Sequence, residues 1–372
     1  MAWGSSSAAI LRLDSQRNAL VPKRSLARHF VKSYERVMTA LELREPDRVP
    51  IVESAISPHV IKALCPQARD RNDFEEMMGL DAVWAVVQFD KVSENADGTY
   101  MDEWGVLYKP SPEVQDHPIK GPIENVDDLA RYVPPDPDAP NRLGNLPQLV
   151  ARFKSRKAVF FLQRAAFMWS VFLNGFDNLL MNFLLEPEFA HRLMDMVLDK
   201  SIQIARNAVR AGADVIVLAD DYAGNDGPFF SPAVFREFVL PRLQRMVDAI
   251  HEAGGKVLKH SDGNLWPILD SIVDTGIDAL HPIEPVAGMN IGEVKRRFGD
   301  RVCLIGNIDC SYVLPEGSLE DVEAAVKECI LKASPGGGHI ISSSNSIHSS
   351  VKPENYRKML EAVKKYGEYP IR

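Results

Sequence analysis

The chain has 372 residues, a formal net charge of −8 and 45% hydrophobic residues, which is ordinary for a globular protein with a sizeable core. The acidic balance argues against general nucleic-acid binding, because that function requires a basic face. No apolar run reaches the roughly 18 residues that a membrane-spanning helix needs. The four cysteines lack CxxC-type spacing, so we expect reduced thiols in a cytoplasmic protein without a nucleic-acid or membrane partner.

Residues 1–30 differ from the rest of the chain in composition, being rich in serine and alanine and carrying arginines. A transit peptide has a similar composition, although Asp14 is unusual in one. We therefore predict a poorly ordered N-terminal extension over residues 1–30 and a single domain over residues 31–372.

Short apolar segments recur along this domain, and most of them end in polar residues, as expected for buried strands of a parallel sheet. The pattern predicts eight strands. They are Val49–Ser54, Asp81–Val87, Ala158–Gln163, Asp214–Ala219, Lys256–Lys259, Asp278–His281, Val302–Ile305 and His339–Ser343.

Segments with helical spacing alternate with these strands, and alternation of this kind implies a parallel sheet, because each crossover returns the chain in the same direction. Eight units in about 320 residues predict an α/β fold, a (β/α)8 TIM barrel; a doubly wound open sheet is the alternative. The predicted helices are Val31–Arg44, His59–Leu64, Trp169–Leu184, Pro187–Ala211, Ser231–Gly254, Trp266–Thr275, Ile291–Phe298, Ser318–Ala333 and Pro353–Tyr366.

A long insertion is predicted between strands 2 and 3, from Phe89 to Leu149, where proline, aspartate and glycine are frequent. We expect loops, short helices and a hairpin from Tyr100 to Tyr108. On a barrel such a segment commonly forms a lid or a wall of the active site.

Two polar residues, His260 and Asp262, stand where the fifth strand ends. Their spacing places both side chains on one side, facing the mouth of the barrel. Such a pair can hold a divalent metal such as zinc, which accepts nitrogen and oxygen ligands. Two alternatives remain: the carboxylate fixes the imidazole tautomer, or Asp262 and Gly263 form a turn.

Further carboxylates follow the neighbouring strands. Of Asp220 and Asp221, only one should face the mouth, because adjacent strand residues point to opposite faces. Glu284 is held between two prolines, and His281 is interpreted as a buried, hydrogen-bonded histidine. We predict Asp221 and Asp262 as catalytic residues, and His260 and Glu284 as metal ligands.

Substrate contacts are predicted at the ends of the third, seventh and eighth strands. Arg164 could clamp a carboxylate, since a guanidinium binds that group through two hydrogen bonds. The remaining candidates carry amide, carboxylate or imidazole groups suited to a polar substrate. They are Asn307, Asp309, Asn345 and His348.

From Tyr34 to its C-terminus the chain resembles the uroporphyrinogen decarboxylase superfamily, whose members fold as (β/α)8 barrels. The resemblance rests on several short motifs rather than on one. They include Pro46–Pro50 (PDRVP), Asp102–Gly105 (DEWG), Ala211–Asp214 (AGAD), His260–Gly263 (HSDG), His281–Gly288 (HPIEPVAG), Gly306–Asp309 (GNID) and Lys352–Asn355 (KPEN).

One branch of that superfamily decarboxylates the acetate arms of uroporphyrinogen without a cofactor, and it carries an arginine-rich segment after the first strand. The matching stretch here, Glu53–His59, contains no arginine. Because the substrate of that branch is rich in carboxylates, the resemblance argues against genuine uroporphyrinogen decarboxylation.

The other branch moves methyl groups to or from a corrinoid protein, using zinc held by a His-x-Cys pair and a later cysteine. The matching positions are His260, Asp262 and Asn345, so the histidine is kept and both sulfurs are absent. Oxygen ligands make zinc a harder Lewis acid, which suits an oxygen or nitrogen leaving group better than a thiol.

The resemblance therefore implies a methyltransferase that moves a methyl group from a small O- or N-methylated compound to the corrinoid of a partner protein, with zinc assisting. A metal-independent decarboxylase or lyase is the first alternative, with Arg164 clamping a small carboxylate substrate and Asp221 acting as the acid. A non-catalytic corrinoid- or tetrapyrrole-binding protein is the second. The exposed part of the insertion is a candidate surface for a homodimer.

Overall fold

The computed structural model describes residues 31–113 and 115–372, so the extension predicted over residues 1–30 lies outside the described residues. Most of the strands here are short and buried, and two small groups lie outside the main sheet. The strands are β1 Ala82–Val86, β2 Lys91–Glu94, β3 Tyr100–Asp102, β4 Leu107–Lys109, β5 His117–Lys120, β6 Ala158–Gln163, β7 Val215–Ala219, β8 Ala223–Gly224, β9 Gly227–Pro228, β10 Lys256–His260, β11 Ala279–His281, β12 Cys303–Ile305 and β13 His339–Ile340.

Helices connect the strands and cover the outside of the sheet. None of those described combines the length and the apolar character that crossing a lipid bilayer requires. The helices are α1 Ser33–Leu41, α2 Pro58–Leu64, α3 Arg71–Met78, α4 Val126–Arg131, α5 Leu146–Phe153, α6 Phe167–Asn174, α7 Phe176–Leu185, α8 Pro187–Arg210, α9 Pro232–Val234, α10 Leu240–Glu252, α11 Leu269–Asp274, α12 Ile291–Phe298, α13 Val313–Glu316, α14 Leu319–Ala333 and α15 Pro353–Tyr366.

The main sheet has seven strands in the order β1-β6-β7-β10-β11-β12-β13, and every neighbouring pair is parallel. The strand order follows the chain order, so each helical crossover leads to the adjacent strand. This arrangement confirms the predicted class, a mixed α/β protein with a TIM-barrel-like parallel sheet. The carboxyl ends of all seven strands therefore meet at one rim.

The predicted first strand, Val49–Ser54, is not a regular strand but a segment with isolated bridges. Ile51 pairs with Ile341 in parallel, and its carbonyl oxygen accepts a hydrogen bond from Asp81 N at 2.8 Å. The segment thus bonds both to the chain beyond β13 and to the residue before β1. Pro50 lacks an N–H group, which limits the ladder that this segment can form.

The inside of the curved sheet is filled by alternate strand residues, and α1 packs against them with Val37, Ala40 and Leu41. Arg36 of this helix donates to Asp81 Oδ1 at 2.7 Å, immediately before β1. Helix α1 therefore covers the end where the strands begin, and the opposite rim is left for polar residues. The inner layer consists of Val52, Ala82, Trp84, Ala158, Phe160, Val215, Val217, Leu258, Ala279, Cys303, Ile305 and Ile340.

Between β1 and β6 the chain forms an antiparallel four-stranded sheet, in the order β2-β3-β4-β5. The hairpin expected from Tyr100 to Tyr108 corresponds to β3 and β4, with Tyr100 opposite Tyr108.

Two predicted helices are interrupted in the structure. The helix expected over Trp169–Leu184 is divided into α6 and α7 by Gly175, whose φ of +92° is incompatible with a continuous helix. The helix expected from Ser231 contains a π-helical turn at Phe235–Val239 before α10. Pro241 follows this turn and cannot donate a backbone hydrogen bond, which favours such an interruption.

Candidate active site

Three predicted residues, Asp221, His260 and Asp262, form a cluster beyond the carboxyl ends of β7 and β10. Their ligand atoms all lie within 4.8 Å of one another. His260 Nε2 lies 3.6 Å from Asp221 Oδ1 and 3.6 Å from Asp262 Oδ1. The register explains the convergence: His260 pairs with Ala219, and Asp221 and Asp262 follow two residues later on each chain segment.

Adjacent carboxylates after β7 point in different directions. Asp220 is fully buried, and its two oxygens accept hydrogen bonds from Ala165 N and Phe167 N, both at 2.9 Å. Asp221 instead accepts from Asp262 N at 3.1 Å and faces the cluster. Only Asp221 is thus available to a ligand, while Asp220 fixes the loop after β6.

His260 is held by a second histidine. The Nδ1 atoms of His260 and His281 lie 2.7 Å apart, so one ring donates the proton and the other accepts it. Burial lowers the pKa of both imidazoles, and the positive charge that His260 would carry lowers the pKa of His281 further. Both rings are therefore neutral near pH 7, which is the form in which an imidazole binds a metal.

Asp262 combines one satisfied oxygen with one unsatisfied oxygen. The Asn345 amide donates to Oδ2, whereas Oδ1 is buried and has no hydrogen-bond partner in the part of the chain that the structure describes. Burial raises the pKa of Asp262 well above its usual range, and the negative charges of Asp221 and Glu284 raise it further. A bound cation would satisfy the free oxygen and compensate the crowded negative charge.

Glu284 lies beside this cluster but not among its three mutually close ligand atoms. Its Oε2 accepts a hydrogen bond from Gly263 N at 2.8 Å. The carboxylate therefore supports the turn after Asp262, and Asp221 rather than Glu284 offers the third of the mutually close ligand atoms.

The donor set fits a divalent metal such as zinc. It offers one imidazole nitrogen and two carboxylate oxygens, and zinc binds both kinds of atom at about 2.0–2.2 Å. Ligand atoms separated by 3.6 Å can reach one ion with small adjustments. The absence of thiolates among the three makes the site harder than a cysteine-containing one.

Lys259 supports the cluster from the outer side of β10, although it is not among the site residues predicted from the sequence. Its ammonium group donates to the carbonyl oxygens of Asp220 and His260 and lies 3.9 Å from the centre of the Tyr222 ring. Burial lowers the pKa of Lys259 to about 8. A lysine inside a strand predicted to be buried was the available signal, because a buried lysine requires partners.

Asn345, one of the predicted substrate-binding residues, reaches the cluster, whereas three others are engaged with the backbone. The Asn307 amide donates to Ile283 O at 2.8 Å, and His348 Nε2 donates to Cys310 O at 2.7 Å. Asp309 Oδ1 accepts from Ser311 N at 2.6 Å. Asn307 and Asp309 line a cavity of about 460 Å³ whose lining excludes the three cluster residues.

Arg164, the fifth predicted substrate-binding residue, follows β6 and lines a different cavity of about 490 Å³. Its guanidinium carbon lies 4.8 Å from the centre of the Phe172 ring and 5.8 Å from that of Trp169. Asp102, on the insertion, lines the same cavity, and burial raises its pKa to about 6. In the sequence, Asp102 stands out only as part of the motif Asp102–Gly105.

The fold and the cluster define a TIM-barrel-like protein with a polar site at its carboxyl rim, the position at which barrel enzymes carry their chemistry. A family model described as uroporphyrinogen decarboxylase (URO-D) matches residues 108–366, more than half of the chain. The chain therefore belongs to the uroporphyrinogen decarboxylase family, which confirms the resemblance seen in its motifs.

Curated relatives carry the same family name. The uroporphyrinogen decarboxylase of Thioalkalivibrio sulfidiphilus is 34% identical over 189 residues, covering 49% of this chain and 50% of the relative. That of Aliivibrio salmonicida is 31% identical over 185 residues, covering 48% and 49% respectively. The chain spans about half the length of these curated relatives.

A solved structure, a methyltransferase from Methanosarcina mazei, is similar over a larger part of the chain. The similarity covers 90% of this chain and 99% of that one, with a TM-score of 0.69 and 21% sequence identity. At this identity the likeness shows that the two proteins share a fold.

Proposed function

We propose that this chain is a metal-assisted methyltransferase of the uroporphyrinogen decarboxylase superfamily. It moves a methyl group from a small O- or N-methylated compound to the corrinoid of a partner protein. The observation that carries this proposal is the cluster of Asp221, His260 and Asp262, in which a buried carboxylate oxygen has no hydrogen-bond partner among the described residues and lies beside two further donor atoms. The fold shared with a methyltransferase from Methanosarcina mazei supports the choice of reaction.

Asp221, His260 and Asp262 would hold the metal, which would draw electron density from the heteroatom that leaves the methyl group. The chain itself fixes each donor. The Asn345 amide holds Asp262, the backbone N–H of Asp262 holds Asp221, and His281 holds His260. Donors fixed in this way need little reorganisation when substrate arrives.

The transfer conserves atoms and charge. The methyl carbon would leave its oxygen or nitrogen and bond to Co(I) of the partner's corrinoid, which would supply the electron pair. The electron pair of the broken bond stays on the heteroatom, which takes a proton from the site or from water. Oxygen donors in the cluster favour hard leaving atoms, so we expect ethers or amines to react in preference to thioethers.

A metal-independent decarboxylase or lyase acting on a small carboxylate is the second candidate. The names of the curated relatives favour it, as does Arg164, a cation that lines a cavity. The arginine-rich segment of the decarboxylating branch is replaced by Glu53–His59, and Glu53 is buried against Ser343. This candidate therefore requires a substrate other than uroporphyrinogen.

Metal content and methyl transfer separate the two candidates. We expect purified protein to bind about one zinc per chain and to transfer methyl groups from O- or N-methyl compounds to free cob(I)alamin. His260→Ala should lose both properties. Asp300→Asn, which changes an exposed carboxylate outside the cluster, should keep both. Protein that binds no metal and transfers no methyl group would exclude the proposal, and metal-independent release of CO2 would support the alternative.

A further inference from the structure

The cavity beside Arg164 has aromatic walls. It encloses about 490 Å³ between the ends of β1 and β6, the insertion sheet and α6, a size typical of small-molecule sites. Its aromatic lining residues are Phe89, Tyr100, Tyr108, Trp169 and Phe172.

These rings form a connected wall. Trp169 contacts Phe89 and Phe172 edge to face, with centroid distances of 5.2 and 5.6 Å. Tyr108 contacts Phe172 at 6.5 Å and stacks on Tyr100 at 5.4 Å. A wall of fixed rings favours a flat apolar ligand, because stacked or edge-to-face aromatic pairs add to the free energy of burial.

Arg164 supplies a positive charge to this cavity. Its guanidinium lies over the Phe172 ring at 4.8 Å, and no carboxylate within 4.0 Å pairs with it among the described residues. A guanidinium that stacks by its face keeps its N–H edge free. That edge can bind a carboxylate through two parallel hydrogen bonds.

Arg164 also lies close to the metal-binding cluster. Gln163 is opposite Leu218 and His260 is opposite Ala219, so Arg164 and His260 occupy the same level of the rim on either side of β7. Two strand spacings separate them, about 10 Å between backbones. A small molecule held at Arg164 is therefore within reach of the site that would act on it.

We propose that this cavity binds a small aromatic carboxylic acid, with its ring against the aromatic wall and its carboxylate on Arg164. Resting on the proposed function, the methyl donor is then an O- or N-methylated aromatic acid. Three carboxylates line the same cavity, Asp90, Asp102 and Asp116, and they outnumber its two cations, Arg164 and Lys91. A second carboxylate on the ligand is therefore disfavoured, and we expect monoacids to bind better than diacids.

Binding of simple acids to the full chain tests the cavity without any methyl transfer. Isothermal titration should show that benzoate and 4-methoxybenzoate bind at least about 10-fold more tightly than cyclohexanecarboxylate or benzamide, which lack the flat ring or the charge. Arg164→Gln should weaken benzoate binding by at least about 10-fold. Arg297→Gln is the matched control. Arg297 also lies over an aromatic ring, that of Trp266 at 5.1 Å, but it belongs to α12 and does not line this cavity.

Two results would overturn the inference. One is wild-type benzoate affinity in Arg164→Gln, and the other is equal affinity for cyclohexanecarboxylate and benzoate. Circular dichroism checks that Arg164→Gln folds. If that variant does not fold, the inference stands only if Phe172→Leu weakens the binding of benzoate more than the binding of cyclohexanecarboxylate. Because benzoate binding needs no corrinoid, it is measured independently of methyl transfer. Tight benzoate binding without methyl transfer would exclude the proposed function but leave this inference standing. Methyl transfer from aliphatic donors without benzoate binding would exclude this inference alone.

Discussion

His260 and His281 share a single proton between their Nδ1 atoms, which lie 2.7 Å apart. When His260 donates this proton, its Nε2 carries a lone pair directed at Asp221 and Asp262, which is the tautomer that binds a metal. His281 then acts as the acceptor that fixes both the tautomer and the ring orientation. It would be a positioning residue for the site rather than a ligand.

His281→Ala should weaken zinc binding by about 10- to 100-fold, because the Nδ1–H of His260 loses its acceptor. His281→Gln should recover part of the affinity, since the amide oxygen can accept the same proton. Competition with a chelator of known affinity measures both. His348→Ala, which changes a histidine bonded to a backbone carbonyl, should bind zinc like the wild type. Wild-type affinity in His281→Ala would contradict the positioning role.

The choice between Asp221 and Glu284 as third metal ligand gives a second prediction. Asp221 Oδ1 lies 3.6 Å from His260 Nε2, whereas Glu284 accepts a hydrogen bond from Gly263 N. Asp221→Asn should therefore lower zinc affinity by about 100-fold or more, and Glu284→Gln by about 10-fold or less. Competition with the same chelator measures the zinc affinity of both variants. If Glu284→Gln lowers zinc affinity more than Asp221→Asn does, Glu284 is the third ligand, as its position between two prolines suggested.

The strands were predictable where burial on both faces leaves a continuous apolar run. β6 was predicted with its observed bounds, and β10 was predicted one residue short. The predicted first strand was wrong as a regular strand, because Pro50 lacks a donor and the ladder there is reduced to isolated bridges. Burial patterns identify a segment, but hydrogen bonding to its neighbours decides whether it is a strand.

The cluster was predictable only in part. Residue spacing identified His260 and Asp262 at a strand end, and parity indicated that one of Asp220 and Asp221 would face the mouth. The orientation of Asn307 depends on a loop in which Ile283 adopts a φ of +61° and accepts the Asn307 amide. A loop conformation of this kind leaves no periodic signal, so the direction of such a side chain could not be inferred from the sequence.

Gly263 gives a third prediction, because it packs against β8. A Cβ atom at Gly263 would lie 2.5 Å from Ala223 C and 2.7 Å from Gly224 O, and its φ is +85°. Gly276 is a matched control, with a φ of +81° and no atom of residues 31–113 or 115–372 within 4 Å of the added carbon. Gly276→Ala should lower the free energy of unfolding by about 1–2 kcal/mol, from backbone strain alone.

Gly263→Ala should lower the free energy of unfolding by about 3 kcal/mol or more, since steric overlap adds to the same backbone strain. It should also weaken zinc binding, because the turn that carries Asp262 must move. Urea unfolding of both variants measures the difference in the free energy of unfolding. Equal losses in the two variants would mean that the contact with Ala223 and Gly224 adjusts without cost.

The last prediction concerns the pH dependence of stability and rests on Glu53. This carboxyl group is fully buried, with Oε1 accepting from Ser343 N at 3.0 Å and Oε2 bonded to Ser343 Oγ at 2.8 Å. Burial raises the pKa of Glu53 to about 8, whereas an exposed glutamate titrates near 4.3. Between these values the folded chain holds a proton that the unfolded chain has lost.

The free energy of unfolding should therefore decrease as the pH rises from about 4.3 to about 8, and the contribution of Glu53 should become constant above that range. Glu53→Gln keeps both hydrogen bonds to Ser343 but removes the titration, so its Tm should fall less between pH 5.5 and pH 8 than that of the wild type. Each pKa unit corresponds to about 1.4 kcal/mol, which makes a difference of a few degrees measurable by circular dichroism. Glu42→Gln, an exposed control, should retain the wild-type dependence. An equal fall in Tm for Glu53→Gln and the wild type over this interval would mean that the Glu53 carboxyl group is ionised in the folded chain. Its burial must then be compensated by Arg71, whose guanidinium donates a hydrogen bond to the backbone carbonyl oxygen of Glu53 at 2.7 Å.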